Sequence, residues 1–153
     1  PAARFMPNIP FAVGGGVAGV CGDEVAAARL TSWLEGAGTV VAVEESLFDA
    51  VTAISGSGPG LLAYVIEAFA EAARAVGFDD ADAEQLAVMT FAGTGRYLAE
   101  TGESPTALRE RVTSPGGTTA AGIAALEAAG LREAMTAAAI AARDRGIELR
   151  SGG

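Results

Sequence analysis

The chain of 153 residues has no histidine and no lysine, and its ten basic residues are all arginines. Without an imidazole, neither a Ser-His-Asp nor a Cys-His arrangement can be assembled from it. Without an ammonium group there is no Schiff base and no lysine to act as base to a serine. The single cysteine, Cys21, cannot form an internal disulfide, which fits a reducing cytoplasm. Ligands for a zinc site are missing as well, so no metal is expected. Positive charge is scarce: ten arginines against 19 carboxylates leave a net charge of −9 and a pI of about 4.4. No basic cluster is present to follow a phosphate backbone, which argues against nucleic-acid binding. No run approaches the roughly 18 consecutive apolar residues of a membrane span. The N-terminus lacks the basic and apolar regions of a signal peptide. Carboxylates, hydroxyls, backbone dipoles and a cofactor are the remaining chemical means. Hydride transfer suits that inventory, because a cofactor carries the reactive bond and the protein supplies position and electrostatics.

Half of the residues are hydrophobic and 19% are charged, enough for one compact core or a small domain with an extension. The first part alternates. Gly16–Gly22 is a short apolar run bounded by glycines and reads as a buried strand. Asp23 caps a predicted helix Glu24–Glu35, with Leu30 and Leu34 on its apolar face and Gly36 and Gly38 ending it. Thr39–Glu44 reads as a second strand, giving a β-α-β unit at the trailing edge of an α/β sheet. From Ser46 onward the pattern is helical. Phe48, Val51 and Ile54 form a short amphipathic helix running into Ser55-Gly56-Ser57-Gly58-Pro59. Leu62, Val65, Ile66, Phe69, Ala73 and Val76 share a face of the next helix, which ends at Gly77.

Asp82 with Gln85 resembles a capping box. The helix it opens carries Leu86, Val88, Met89 and Phe91 almost all round, a sign of burial on several sides. Ser104-Pro105 opens a short helix to Val112, another runs through Ile123 and Leu126 to Gly130, and the last carries Leu131, Met135, Ala138 and Ala142. Arg143, Arg145 and Arg150 lie near the C-terminal end of that last helix, where cations are favoured. Six or so alanine-rich helices with surplus apolar surface point to a partner chain. The class is mainly α.

The stretch with the most chemistry is Val112-Thr113-Ser114-Pro115-Gly116-Gly117-Thr118-Thr119 and the alanines after it. Ser114 reads as a helix N-cap and Pro115 as the first helical residue. Gly116 and Gly117 leave the first N–H groups open to a ligand, and Thr118 and Thr119 add two hydroxyls. Such a helix start suits a small carboxylate, whose charge the dipole favours by about 0.3–1 kcal/mol. An ordinary Ser-Pro cap, as expected at Ser104-Pro105, is the alternative.

Other motifs carry less. Gly14-Gly15-Gly16-Val17-Ala18-Gly19 satisfies the letters of GxGxxG, yet a strand-like run follows it where a helix should open. It reads as a flexible glycine loop. Arg4-Phe5-Met6-Pro7-Asn8-Ile9-Pro10 reads as a loop with one amide and two prolines that set its direction. Ser55–Pro59 has an architectural role, its glycines letting two helices approach. Glu44-Glu45, Arg109 and Arg111 would by default be solvated.

Three of these segments together resemble the pyrroline-5-carboxylate reductases. Val112–Gly122 is similar to the family's signature, Asp49–Pro59 to a second landmark and Arg4–Pro10 to a third, in the same order and spacing over essentially the whole chain. The resemblance implies an all-helical substrate-binding and dimerisation domain over residues 46–153, behind the C-terminal end of a Rossmann-like dinucleotide-binding domain over 1–45. It implies reduction of L-1-pyrroline-5-carboxylate to L-proline by NADPH or NADH, the last step of proline biosynthesis. It places the substrate carboxylate on Ser114, Gly116, Gly117 and Thr118, and the ring nitrogen on the hydroxyl of Thr119, the catalytic residue. Glu45 would stand near the substrate, and Asn8 and Arg111 would border the cofactor. The implied assembly is an interlocked homodimer, with a decamer as a larger form. The family's upstream nucleotide fold and its glycine fingerprint do not occur in these residues, so the chain alone is expected to turn over little. Gly60, where many relatives carry alanine, is a minor departure. Two other readings stand beside this one. The first is a non-catalytic dimerisation module of the same fold. The second is a related imine or 2-hydroxy-acid dehydrogenase sharing this architecture, the hydroxy-acid form being disfavoured by the missing lysine.

Overall fold

In the computed structural model, residues 1–34 and 36–152 are described. They form two compact units. One holds residues 1–62 together with the chain from Met135 onward, and the other holds residues 63–134.

The first unit opens with a strand that the sequence reading took for a loop. β1 (Ala3–Pro7) pairs antiparallel with β2 (Gly16–Gly22), which pairs parallel with β3 (Gly38–Ala42). Pro7 and Pro10 obscure the strand in sequence, since proline cannot donate to a ladder, but Pro7 falls at the end of β1 and Pro10 is the second residue of a short 3-10 turn, Ile9–Val13. The β-α-β reading holds for β2, α1 (Glu24–Leu34) and β3. Asp23 caps α1, its Oδ1 accepting the N–H of Ala26 at 3.0 Å. The expected last residue of that helix, Glu35, lies outside the described residues. Ala18, Val20 and Cys21 of β2 are buried, together with Phe48 and Ala53. Gly19 lets β2 approach the following helix: a Cβ there would stand 2.4 Å from Cγ1 of Val51.

That helix runs from Glu45 to Ala75 without a break. It contains α2 (Phe48–Val51), a π-turn (Thr52–Gly56) and α3 (Gly58–Ala75). The π-turn is where Pro59 is accommodated, since proline has no N–H to give to the carbonyl four residues back. Ser57 N–H instead reaches Thr52 O at 2.8 Å. Thr52 and Ser55 hydroxyls bond back to Phe48 O at 3.1 Å and Val51 O at 2.9 Å. Such back-bonding bends helices. As expected, no run of about 18 consecutive apolar residues occurs in the chain. By length and composition alone, an 18-residue window within Glu45–Ala75, at a mean hydropathy of 1.2, would still pass for a span. Single polar residues interrupt the run without lowering its mean enough.

α4 (Asp80–Thr101), α5 (Pro105–Arg111), α6 (Thr118–Ala128) and α7 (Leu131–Ser151) follow. The cap of α4 is Asp79, which accepts the N–H of Asp82 at 2.9 Å, so Asp82 is a first-turn residue and not the cap expected of it. Ser104 caps α5 through the N–H of Ala107, as anticipated. Within residues 63–134 the buried positions are alanines only, Ala70, Ala83 and Ala87. Tyr64, Val76 and Met89 are meanwhile 73%, 77% and 61% exposed. A unit whose large side chains face outward cannot be held by its own core.

Candidate active site

The stretch from Ser114 to Thr119 forms a turn before it forms a helix. Gly117 N–H donates to Ser114 O at 3.0 Å, and Gly116 has φ +71°. Proline second and a positive-φ glycine third are the marks of a type II turn. The N-cap of α6 is therefore Gly117 (φ −77°, ψ 170°), with Thr118 as the first helical residue. The sequence reading placed the helix start at Ser114 and Pro115. Turn chemistry overrides it, because Gly116 adopts a backbone conformation that ends any helix begun at Pro115. Gly117 fills a different need: a Cβ on it would lie 2.4 Å from the Ser114 Oγ. Its N–H is engaged in the turn, so the open donors are those of the first turn of α6, which have no partner inside their helix. Thr118 and Thr119 are exposed there. A groove of about 490 Å³ lies alongside, lined by Arg109, Thr113, Ala120, Ile123 and neighbouring residues.

Arg111 sits in the same unit on a tightly occupied guanidinium. It holds both carboxylate oxygens of Glu103, at 3.1 and 2.8 Å, and donates to the Tyr97 hydroxyl at 3.0 Å. The pair keeps Glu103 below the ordinary carboxylate range, chiefly through the hydrogen bond from Arg111.

Glu45 and Asn8 belong to the other unit: Arg4 of β1 holds Glu45, and Asn8 directly follows β1. Arg4, Met6 and Asn8 are spaced by two, so they share one side of an extended chain. Arg4 donates to one oxygen of Glu45 and lies 4.1 Å from the centre of the Phe48 ring. The thiol of Cys21, paired across the ladder with Arg4, donates to the other oxygen of Glu45 at 3.0 Å. These two donors, the thiol first, lower the pKa of Glu45. Burial, followed by the Glu45 carboxylate, raises that of Cys21. The methyl of Met6 is 3.0 Å from where a Cβ on Gly56 would be. Asn8 Nδ2 donates to Ser55 O at 3.1 Å, and its Oδ1 accepts the N–H of Val17 at 2.9 Å. Sequence reasoning singled out Glu45 and Asn8 but missed the partners Arg4, Cys21 and Ser55. The period-two spacing of Arg4, Met6 and Asn8 was the available signal, hidden by the reading of this segment as a loop.

The described residues form no dinucleotide cradle. Gly14 closes a 3-10 turn at φ +75° and Gly16 begins β2, so the glycine run opens a strand and not a helix. A pyrophosphate needs the N–H groups of a helix start at that point.

A parallel β-α-β piece followed by helices with uncovered apolar faces and an anion-ready helix start defines a class: a helical dimerisation domain behind the end of an α/β domain. The family model for pyrroline-5-carboxylate reductase dimerisation matches residues 45–149. The chain belongs to the pyrroline-5-carboxylate reductase family. It is 45% identical over 153 residues to the pyrroline-5-carboxylate reductase of Corynebacterium melassecola, covering 97% of this chain and 57% of that protein. With the Synechocystis enzyme the identity is 42% over 150 residues, covering 95% of this chain and 56% of that one. Among solved structures, the pyrroline-5-carboxylate reductase of Coxiella burnetii superposes with a TM-score of 0.90 at 38% identity, covering 96% of this chain and 56% of that one. That of Plasmodium falciparum, solved with NADP bound, gives 0.81 at 26% identity, covering 94% and 60%. The chain thus spans a little over half the length of the relatives it matches.

Proposed function

We propose that the protein carrying this chain reduces L-1-pyrroline-5-carboxylate to L-proline with NADPH or NADH, in the cytoplasm and as a homodimer or larger assembly. In this reading residues 1–45 end the dinucleotide-binding domain, and residues 46–153 bind substrate and form the dimer. The observation that carries it is the type II turn at Ser114–Gly117, which opens into α6 beside two exposed threonines.

The substrate carboxylate sits on the N–H groups of Gly116, Thr118 and the residues just after it. Gly117 shapes the turn and Ser114 flanks the anion. Thr119 hydrogen-bonds the ring nitrogen and aligns the C=N bond for attack, and alignment is the main lever available where no strong acid is at hand. Bound NADPH or NADH supplies the hydride to the imine carbon. The ring nitrogen ends with a proton, taken from water or already present on the iminium. Glu45 stands as a carboxylate able to pair with that nitrogen or an intervening water. Arg111 borders the cofactor through the edge it leaves free of Glu103, and Asn8 shapes the cofactor side from the end of β1 onward, at the entry to the 3-10 turn.

The test is NADPH oxidation with L-1-pyrroline-5-carboxylate, using the full-length protein. Imine-dependent oxidation is expected. A folded dimer that oxidises no NADPH would overturn the reading in favour of a non-catalytic dimerisation module.

A further inference from the structure

We infer that Asn8 is a positioning residue: its amide stands in for the backbone N–H that Pro59 lacks and clamps the Thr52–Gly56 π-turn to the start of β2. In an α-helix the carbonyl of Ser55 would receive the N–H of residue 59. Pro59 has none to give. The donor found on that carbonyl is Asn8 Nδ2, at 3.1 Å. The other end of the same amide accepts Val17 N–H at 2.9 Å. Asn8 is the only asparagine in the chain, and no other side-chain amide but that of Gln85 exists to replace it.

The clamp is one of three contacts made by alternate residues of one segment. Arg4 grips Glu45, Met6 meets Gly56, and Asn8 grips Ser55. Together they register the strand against the helix that begins at Glu45. For Asn8 the consequence is specific. An amide already engaged at both ends shapes a cofactor pocket by holding backbone in place, so its effect passes through Ser55 and Val17. The effect on turnover rests on the proposed reductase activity, whereas the clamp itself does not.

The experiment is a double-mutant cycle in the full-length protein, with Asn8→Asp, Pro59→Ala and the two combined. Asn8→Asp keeps the acceptor for Val17 and removes the donor to Ser55. Pro59→Ala returns an N–H to the Ser55 carbonyl. Alone, Asn8→Asp should lower the urea midpoint and raise KM for NADPH about five- to tenfold, with kcat within about twofold. In the Pro59→Ala background the KM effect should shrink to about twofold or less, with a matching recovery of the midpoint. Equal effects in both backgrounds overturn the proposal, because a direct cofactor contact or simple packing at Asn8 would not sense residue 59. Should Asn8→Asp fail to fold, Asn8→Ala runs the same cycle with the same criterion. Recovery of the midpoint without recovery of KM overturns the positioning role. A folded wild-type protein without reductase activity overturns the functional reading instead, and the midpoints then judge the clamp alone.

Discussion

Thr119 and Glu45 differ in what their surroundings leave them free to do. Thr119 is an exposed residue of the first turn of α6. If the proposed reduction holds, Thr119→Ala in the full-length protein is expected to lower turnover roughly 10²-fold, the scale of removing one positioned hydrogen-bond donor. Light scattering should still show the dimer, and an unchanged rate would refute the role given to that hydroxyl. Glu45 is already engaged by Arg4 and Cys21, which hold its pKa down. A carboxyl depressed in the folded state contributes stability that is complete above its unfolded value of about 4.3 and is lost as pH falls through the folded one. Glu45→Gln should therefore flatten the acid limb of a urea-midpoint profile taken from about pH 6 to about pH 3. Identical limbs in the two proteins would contradict the ion pair. The same substitution removes a carboxylate that keeps the Cys21 thiol protonated, although burial remains the larger cause.

At the scale of elements, short-range chemistry was read correctly where one residue decides the outcome. Asp23 and Ser104 cap the helices assigned to them. Reading failed where two local rules compete. Ser114-Pro115 satisfies the rule for a helix start, but Pro115-Gly116 also satisfies the rule for a type II turn, and the positive φ of Gly116 decides between them. Gly117→Ala should close this turn poorly, because its Cβ would collide with the Ser114 side chain. The expected result is a KM for the imine raised about tenfold or more with the cofactor KM unchanged; a shift confined to the cofactor KM would count against a carboxylate cradle. Gly19→Ala tests β2 against Val51, 2.4 Å from the added methyl. It should cost about 1–3 kcal/mol by urea denaturation. A neutral result would mean the strand and helix can separate freely.

At the scale of the whole molecule, the dominant fact is that residues 63–134 bury no large side chain of their own. Residues 63–134 bury alanines while Tyr64, Val76 and Met89 face outward, and the family model matched by residues 45–149 is one for dimerisation. The apolar helix Glu45–Ala75 has the same explanation, since little of its apolar window is covered within the chain. Sedimentation of the full-length protein should show a dimer or larger at every concentration where it is folded. A folded monomer would contradict this account.

What the sequence determined by itself was the chemistry available and most of the elements. Missing histidine and lysine, one cysteine and a glycine-threonine segment are independent of folding, and helix caps and strand periods are local. Tertiary structure alone decided which partners each polar group found. It turned Arg4–Pro7 from a loop into a docking strand, committed Glu45 to Arg4 and Cys21, and joined Asn8 to the carbonyl that Pro59 leaves without its helical donor. Those pairings span 24 to 47 residues of chain, and no local rule reaches that far.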